Sequence, residues 1–216
     1  ISFGKSLGSS VGTFTAVTDG RPLGAIKWYG ADGDSSELGA QIQAEAAETF
    51  SGTARGAEIT FHTVDNGTTT LDERMRIDNA GNVGIGTTTI PHGGVGYAKF
   101  AIDGTNGSSA GPHVQYTTAA DDYPLFQQLN WSHDNIQLLF DAYYDGADKS
   151  SDAGSNFKIL KSGDNLSFAY DSDISAGSAL SWNTGFTMTK TGNIGIGDTD
   201  PSEAKLSITG VLSGDY

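Results

Sequence analysis

A twelve-residue run that occurs twice constrains the fold of this chain more than any other feature. Met75-Arg76-Ile77-Asp78-Asn79-Ala80-Gly81-Asn82-Val83-Gly84-Ile85-Gly86 returns 111 residues later as Phe186-Thr187-Met188-Thr189-Lys190-Thr191-Gly192-Asn193-Ile194-Gly195-Ile196-Gly197. Each copy reads as a short β-hairpin. Met75 and Ile77 alternate with Arg76 and Asp78, as the two-residue period of a strand requires. Asn79-Ala80-Gly81 supplies a three-residue turn, with Gly81 in the left-handed position that a Cβ makes costly. Val83 and Ile85 resume the apolar face, while Gly84 and Gly86 leave the other face bare. A strand with glycine at every second position packs little and loses much entropy on ordering, so it belongs where another backbone comes very close. Strands crowded round the axis of an intertwined oligomer meet that condition. Val83, Gly84, Ile85 and Gly86, with Ile194, Gly195, Ile196 and Gly197, are therefore the expected junction and subunit-contact residues.

The repetition extends past the hairpin. Ala98-Lys99-Phe100-Ala101-Ile102-Asp103-Gly104 matches Ala204-Lys205-Leu206-Ser207-Ile208-Thr209-Gly210, and Gly107-Ser108-Ser109-Ala110-Gly111 matches Gly8-Ser9-Ser10-Val11-Gly12. That register lays Ile1-Ser2-Phe3 on Phe100-Ala101-Ile102. The expected organisation is a repeat over 1–97, a second over 98–203, and the start of a third over 204–216. Periods near 100 residues denote tandem domains, since solenoid turns run to about 20–50. A chain cut within its own period is expected to be a segment of something longer.

Short apolar runs separated by turn residues mark an all-β chain. In the first repeat, Phe14-Thr15-Ala16-Val17, Ala25 to Tyr29 and Glu58 to His62 read as strands, and Val64-Asp65-Asn66-Gly67 as a turn. Glu37 to Phe50 carries two patterns. Leu38, Ile42 and Ala46 share a helical face, yet Ala40, Ile42, Ala44 and Ala46 alternate with Gln41, Gln43 and Glu45; strand is the reading taken. In the second repeat, His113 to Tyr116, Leu125 to Trp131, Ile136 to Tyr144, Asn156 to Leu160, Leu166 to Tyr170 and Ala179 to Trp182 are expected strands. Ser132 to Asn135 and Ser162 to Asn165 are tight connections, and Asp145 to Ser155 is a polar loop.

Composition narrows the function classes. The net charge is −14 with only 12 Lys and Arg, which argues against nucleic acid as a partner. The absence of cysteine removes disulfides, zinc–thiolate sites and thiol nucleophiles together. No run of 18 apolar residues occurs, so no helix inserted in a membrane is expected. Thirty glycines against five prolines, with no collagen period and only 37 % hydrophobic residues, leave a single subunit short of core. Association is the natural remedy.

No catalytic constellation stands out, and no enzyme, cofactor or metal is expected. Asp32-Gly33-Asp34 and Asp141, Asp145 and Asp148 offer oxygen ligands, but they lack the calcium-loop spacing and read as solvated turns. His62, His92, His113 and His133 have no metal-binding spacing. Asp121-Asp122, adjacent on a strand, face opposite ways and do not make a glycosidase pair. Gly84-Ile85-Gly86 is followed by no βαβ unit, which removes a dinucleotide reading. Aromatic side chains remain. Trp28, Trp131 and Trp182 read as packing residues, whereas Tyr29, Tyr143 and Tyr144 are candidates for presenting flat faces to a glycan. Tyr143 and Tyr144 are neighbours on a strand, so one of the two is expected to be exposed or at a subunit contact.

With these residues in view, the chain resembles the fibre proteins of tailed phages and of large algal DNA viruses. The resemblance rests on Glu73-Arg74-Met75-Arg76-Ile77 followed by Gly81 to Thr88, on Thr191 to Gly197, and on Gly111 to Gln115, Asn130 to Asn135 and Asp141 to Gly146. It implies an all-β protein of elongated tandem modules, β-sandwich or β-prism in kind, joined by Gly-rich hairpins and intertwined as a homotrimer. It further implies a place on the virion surface, contact with other virion proteins, and a role in attachment to a host cell-surface glycan or receptor. The self-cleaving chaperone domain that many such fibres carry has no counterpart in these residues. A carbohydrate-binding module and a bacterial extracellular filament or surface adhesin are the alternative readings.

Overall fold

The computed structural model describes residues 14–90, 96–202 and 205–208, the side chains of 207 and 208 excepted. Most of the expected third repeat, His92, and the matches at Ile1 to Phe3 and Gly8 to Gly12 lie outside the described residues. The protein is all-β, with no helix among the described residues. It divides into two compact units after Asp103.

In the first unit, β1 (Pro22–Ala31), β2 (Ser36–Ala46), β3 (Ala57–Val64), β4 (Leu71–Ile77), β5 (Val83–Ile85) and β6 (Phe100–Ile102) form one open sheet in chain order. Neighbours are antiparallel until the last pair, where β6 runs parallel to β5. The ambiguous segment is a strand up to Ala46. Its alternating polar residues join along one face, Gln41 Nε2 donating to Gln43 Oε1 at 3.3 Å and Gln43 Nε2 to Glu45 Oε2 at 2.9 Å. Strands on both sides complete its backbone hydrogen bonds, which outweighs the helix propensity of its Ala and Glu residues. Phe14 to Val17, by contrast, is not a strand. The Asp19-Gly20 turn follows at once, and the segment is tied down by the Phe50 amide donating to the Val17 carbonyl at 2.9 Å.

The duplicated hairpin forms as its pattern predicts. The Gly81 amide donates to the Asp78 carbonyl at 3.0 Å, with Gly81 at φ +76°. Asp78 Oδ1 accepts from the Ala80 and Asn82 amides at 2.9 and 2.8 Å, and Oδ2 accepts from Asn82 Nδ2 at 2.8 Å. In the second copy, Thr189 stands at this place and accepts the Asn193 amide at 3.2 Å. Partial burial opposes ionisation of Asp78, but the Asn82 and Ala80 hydrogen bonds prevail and hold its carboxyl below the usual 3.8. A folded-state value below the unfolded one stabilises at pH above the unfolded value, and that share is lost as pH falls through the folded value. We therefore expect the first hairpin to loosen on acidification below about pH 4. Asp78→Ala should cost about 1 kcal/mol at neutral pH and remove this acid sensitivity, as read by melting across pH.

The second unit contains β7 (Val114–Tyr116), β8 (Phe126–Ser132), β9 (Asn135–Phe140), β10 (Ala142–Tyr144), β11 (Asp148–Ser150), β12 (Ser155–Ser162), β13 (Asn165–Ser172), β14 (Asn183–Thr189), β15 (Ile194–Ile196) and β16 (Leu206–Ile208). Eight of these build a sheet in the order β16-β15-β14-β13-β12-β9-β8-β7, and β10 pairs with β11 separately. Two expectations fail here. Asp145 to Ser155 is not wholly loop, because backbone pairing of Asp148–Ser150 with β10 makes a strand without apolar side chains. Ala179 to Trp182 is not a strand and makes one bridge, Ala179 to Lys149. The run Ile136 to Tyr144 breaks at Asp141, whose φ of +51° turns β10 out of the line of β9. The core of this unit is Leu129, Leu139 and Ala142, packed by Trp131, Tyr144, Leu180 and Trp182.

In both units the hairpin is closed by the same device. A short strand further along the chain lies parallel to the glycine strand: Phe100 to Ile102 on β5, and Leu206 to Ile208 on β15. The Val83 amide donates to the Lys99 carbonyl and the Ile194 amide to the Lys205 carbonyl, at 2.8 and 2.9 Å.

Candidate functional site

Strand register sorts the side chains of each sheet into two faces. Across the first unit, Ile26, Ile42, Phe61, Met75, Ile85 and Ile102 stand in one row. Two residues along each strand, Gly24, Ala44, Ile59, Ile77, Val83 and Phe100 form a second row on the same face. This apolar face is open to solvent: Phe100 is 56 % exposed and Trp28 50 %, with Ile26, Ile59 and Ile85 near them. Between Ile26, Ile42 and Ile59 the small Gly24 and Ala44 leave an apolar trough of about 380 Å³.

The reverse face of the same sheet is polar and better covered. Thr60 and Gln41 are buried there. Arg76 donates from Nη1 to Glu58 at 2.8 Å and from Nε and Nη2 to the two Glu73 oxygens at 2.7 Å each. Burial pushes the Glu58 carboxyl up against the pull of Arg76. Arg74 contacts Asp65 at 2.6 Å. Arg76 thus fastens the polar side of the sheet, whereas Arg74 bonds to Thr63 and Asp72, which stand in the row of Trp28 and Ala40; among the described residues nothing covers the apolar side.

The second unit repeats the inversion on a larger scale. Tyr116, Phe126, Phe140, Phe157 and Tyr170 are cross-strand neighbours in one row, and Leu138, Ile159, Phe168, Phe186 and Ile196 in the next. Phe126 rests on Phe140 and Phe168 on Phe186, with ring centroids 5.2 and 5.5 Å apart. Tyr116, Phe140, Phe157, Phe168, Tyr170, Met188, Ile196 and Leu206 are nonetheless all exposed. Eight strands about 4.8 Å apart make this face roughly 34 Å wide. A single-chain protein rarely leaves more than a few hundred Å² of contiguous apolar surface open. The opposite face holds the buried residues, including Leu129, Leu139, Asn156, Lys158, Asp171 and Thr187. Asp148 serves that side, accepting from Lys158 Nζ at 2.8 Å and from Trp182 Nε1 at 2.6 Å.

The junction residues divide between the faces. Val83, Ile85, Ile194 and Ile196 belong to the apolar faces. The glycines next to them are crowded by this chain's own backbone. A Cβ on Gly84 would lie 2.6 Å from the Thr87 carbonyl oxygen and 2.9 Å from Ile90 Cδ1. On Gly86 it would strike the Asp103 carbonyl, and on Gly195 the Asp198 carbonyl. Gly86 and Gly197 also have φ of +71° and +68°. The close backbone expected of sister chains at an oligomer axis is supplied here by this chain itself, from the turn after the strand or from the residue after β6.

The tyrosines proposed for glycan contact are not brought together. Tyr29 is 58 % exposed on β1. Tyr143 is buried and stacked on Tyr123 with centroids 5.1 Å apart, and burial pushes its phenol up. Tyr144, half-buried, meets Trp131 edge to face at 5.0 Å and borders a cleft of about 600 Å³ with His113, Gln127 and Asp145. Trp131 reads from the sequence as a packing residue, and Gln127 does not stand out there. Its only signal was the alternation Gln127, Leu129, Trp131 on the face that the apolar row does not use.

The acidic turns are occupied by local bonds. Asp32 Oδ1 accepts from the Asp34 and Ser35 amides at 3.2 and 2.9 Å, Asp145 holds Lys149 at 2.9 Å, and Asp148 is spoken for. Among the described residues no group of three or more His, Cys, Asp or Glu comes together. His62 Nε2 bonds to Thr60 Oγ1 at 2.9 Å, and His133 contributes its carbonyl to Lys161 Nζ at 2.6 Å.

No family model matches this sequence, and no curated protein matches it. Among solved structures, the carboxy-terminal domain of the bacteriophage T5 L-shaped tail fibre aligns over 94 % of this chain and 93 % of its own, with 13 % identity and a TM-score of 0.37. The same carboxy-terminal domain with its intra-molecular chaperone domain aligns over 94 % of this chain and 64 % of its own, with 11 % identity and a TM-score of 0.38. At these scores the likeness carries no residue-level or functional argument.

Proposed function

We propose that this chain is a non-catalytic structural segment of a virion fibre, assembled as a homotrimer that projects from the particle and takes part in host-surface attachment. The observation that carries the reading is the pair of apolar sheet faces left open among the described residues. Each of those half-exposed side chains gains roughly 1 kcal/mol on leaving water. Summed over both faces, that is enough to offset an association cost of about 4–15 kcal/mol. Sister chains are the natural cover, because three sheets with their apolar faces turned inward leave the Arg76, Glu58 and Glu73 side facing water. The trough at Gly24 and Ala44 offers a socket for an apolar side chain of a sister subunit. The glycine hairpins supply the virion context through their resemblance to fibre modules, and contact with other virion proteins and an extracellular place follow from that context.

A mass measurement in solution tests the assembly. We expect three times the chain mass by native mass spectrometry and sedimentation. A soluble, cooperatively folded monomer would overturn the reading, and a stable dimer would overturn its three-fold part. Antibody labelling of the particle tests the virion context.

A further inference from the structure

We propose that Asn66, in the turn between β3 and β4, is a site of spontaneous modification, its side-chain amide being converted to a carboxylate through a cyclic imide closed by the Gly67 backbone nitrogen. Asn followed by Gly occurs twice in the chain, at 66–67 and at 106–107. Both asparagines are exposed, and both glycines lie in the left-handed region, at φ +77° and +66°, with open space where a Cβ would stand. Sequence alone makes the two pairs equally reactive. The structure separates them. The Gly107 amide donates to the Trp131 carbonyl on β8 at 2.7 Å. The loop around it is held too, the Thr105 amide donating to the Ala110 carbonyl at 3.3 Å and His113 Nε2 to the Ser108 carbonyl at 3.1 Å. The Gly67 amide has no acceptor among the described residues. Its turn is closed by Thr68, whose amide and hydroxyl donate to the Asp65 carbonyl at 3.2 and 3.1 Å.

The reaction needs the glycine nitrogen free. That nitrogen loses its proton to hydroxide and attacks Asn66 Cγ. A new N–C bond forms, the Cγ–Nδ2 bond breaks, and ammonia leaves carrying a proton from water. Water then opens the imide. Opening at Cγ leaves aspartate, and opening at the backbone carbonyl leaves isoaspartate, whose chain runs on through Cβ and Cγ. Overall one water is taken up and one ammonia released, and nothing is oxidised or reduced. At Asn106 the same attack first requires the Gly107 amide to leave Trp131, which slows it by roughly tenfold, the upper end of what one backbone hydrogen bond contributes net. The new carboxylate at 66 stands beside Asp65, which with Asp72 holds Arg74 at 2.6 and 3.4 Å, and it adds one negative charge to a chain that carries −14. The pairing of β3 with β4 ends at Val64 and Leu71, so the longer isoaspartyl backbone is confined to the turn. The inference stands on this turn and does not require the trimer.

The test ages the whole 216-residue chain, in its native assembly, in mildly alkaline buffer at body temperature and follows both asparagines by peptide mass mapping. We expect Asn66 to convert and Asn106 to lag by about tenfold or more. In urea, where the Gly107 bond to Trp131 is gone, the two rates should converge. Anion exchange gives a second readout on intact protein. Aged wild type and Asn106→Ser should each gain a more acidic peak, and Asn66→Ser should keep one peak, serine being well suited to an exposed turn. An Asn66 that stays intact, or that converts no faster than Asn106 in the native chain, would overturn the proposal. So would a difference between the two sites that persists unchanged in urea, or an aged Asn66→Ser that splits as the wild type does.

Discussion

Replacing Phe157 by Asp should convert the assembled protein into a monomer or an aggregate. In one chain Phe157 is 52 % exposed between Phe140 and Tyr170, where a charge meets water and would cost little. Within a closed trimer the same carboxylate is taken into an apolar interface with no cation to pair it, which costs several kcal/mol for each of the three copies. The two outcomes differ so widely that sedimentation of Phe157→Asp beside Lys27→Asp, whose side chain is on the other face of its sheet, separates them. Wild-type mass for Phe157→Asp would show that this face is not the one sister chains cover.

Gly84→Val should destabilise the first unit by about 3 kcal/mol or more and deplete the oligomer. Valine is favoured in strands, so propensity predicts a gain. The 2.6 Å approach of the Thr87 carbonyl oxygen to the position of its Cβ predicts the reverse, since backbone cannot swing away as a side-chain tip can. Gly81→Ala is the matched control. Nothing lies within 4 Å of its Cβ position, so the φ of +76° leaves about 1 kcal/mol of backbone strain as the whole effect. Thermal melting ranks the three proteins. A Gly84→Val chain that melts with the wild type and keeps its full mass would remove both the local and the assembly role of that glycine.

The strands were legible wherever apolar and polar residues alternate between clear turns, as in β3, β4, β12 and β13. β2 was legible too, although its composition suits a helix, because its alternation is stricter than its helical stripe. β11 was not, since Asp148–Ser150 owes its state to backbone partners on β10 that no side-chain pattern announces. Alternation also tells which residues share a face without telling which face is covered. Ile26, Ile42 and Phe61 would read the same in the core of a closed sandwich. Only the register and the solvent around them show an uncovered side. The cleft was less legible still: it depends on Gln127, Trp131 and Tyr144 meeting across β8 and β10, and on a loop contributed by His113, with no shared spacing to link them.

The parallel strand that completes each sheet has a consequence for how such a chain lengthens. Residues 100–102 are hydrogen-bonded to the hairpin that precedes them, yet in the repeat expected from the sequence they would open the next period. A tandem duplication of one period therefore lands with its first strand already matched to the end of the older copy, wherever within the period the crossover falls. Gene segments of this kind can multiply without ever passing through an ancestor with a ragged sheet margin, a freedom that modules with self-contained borders lack.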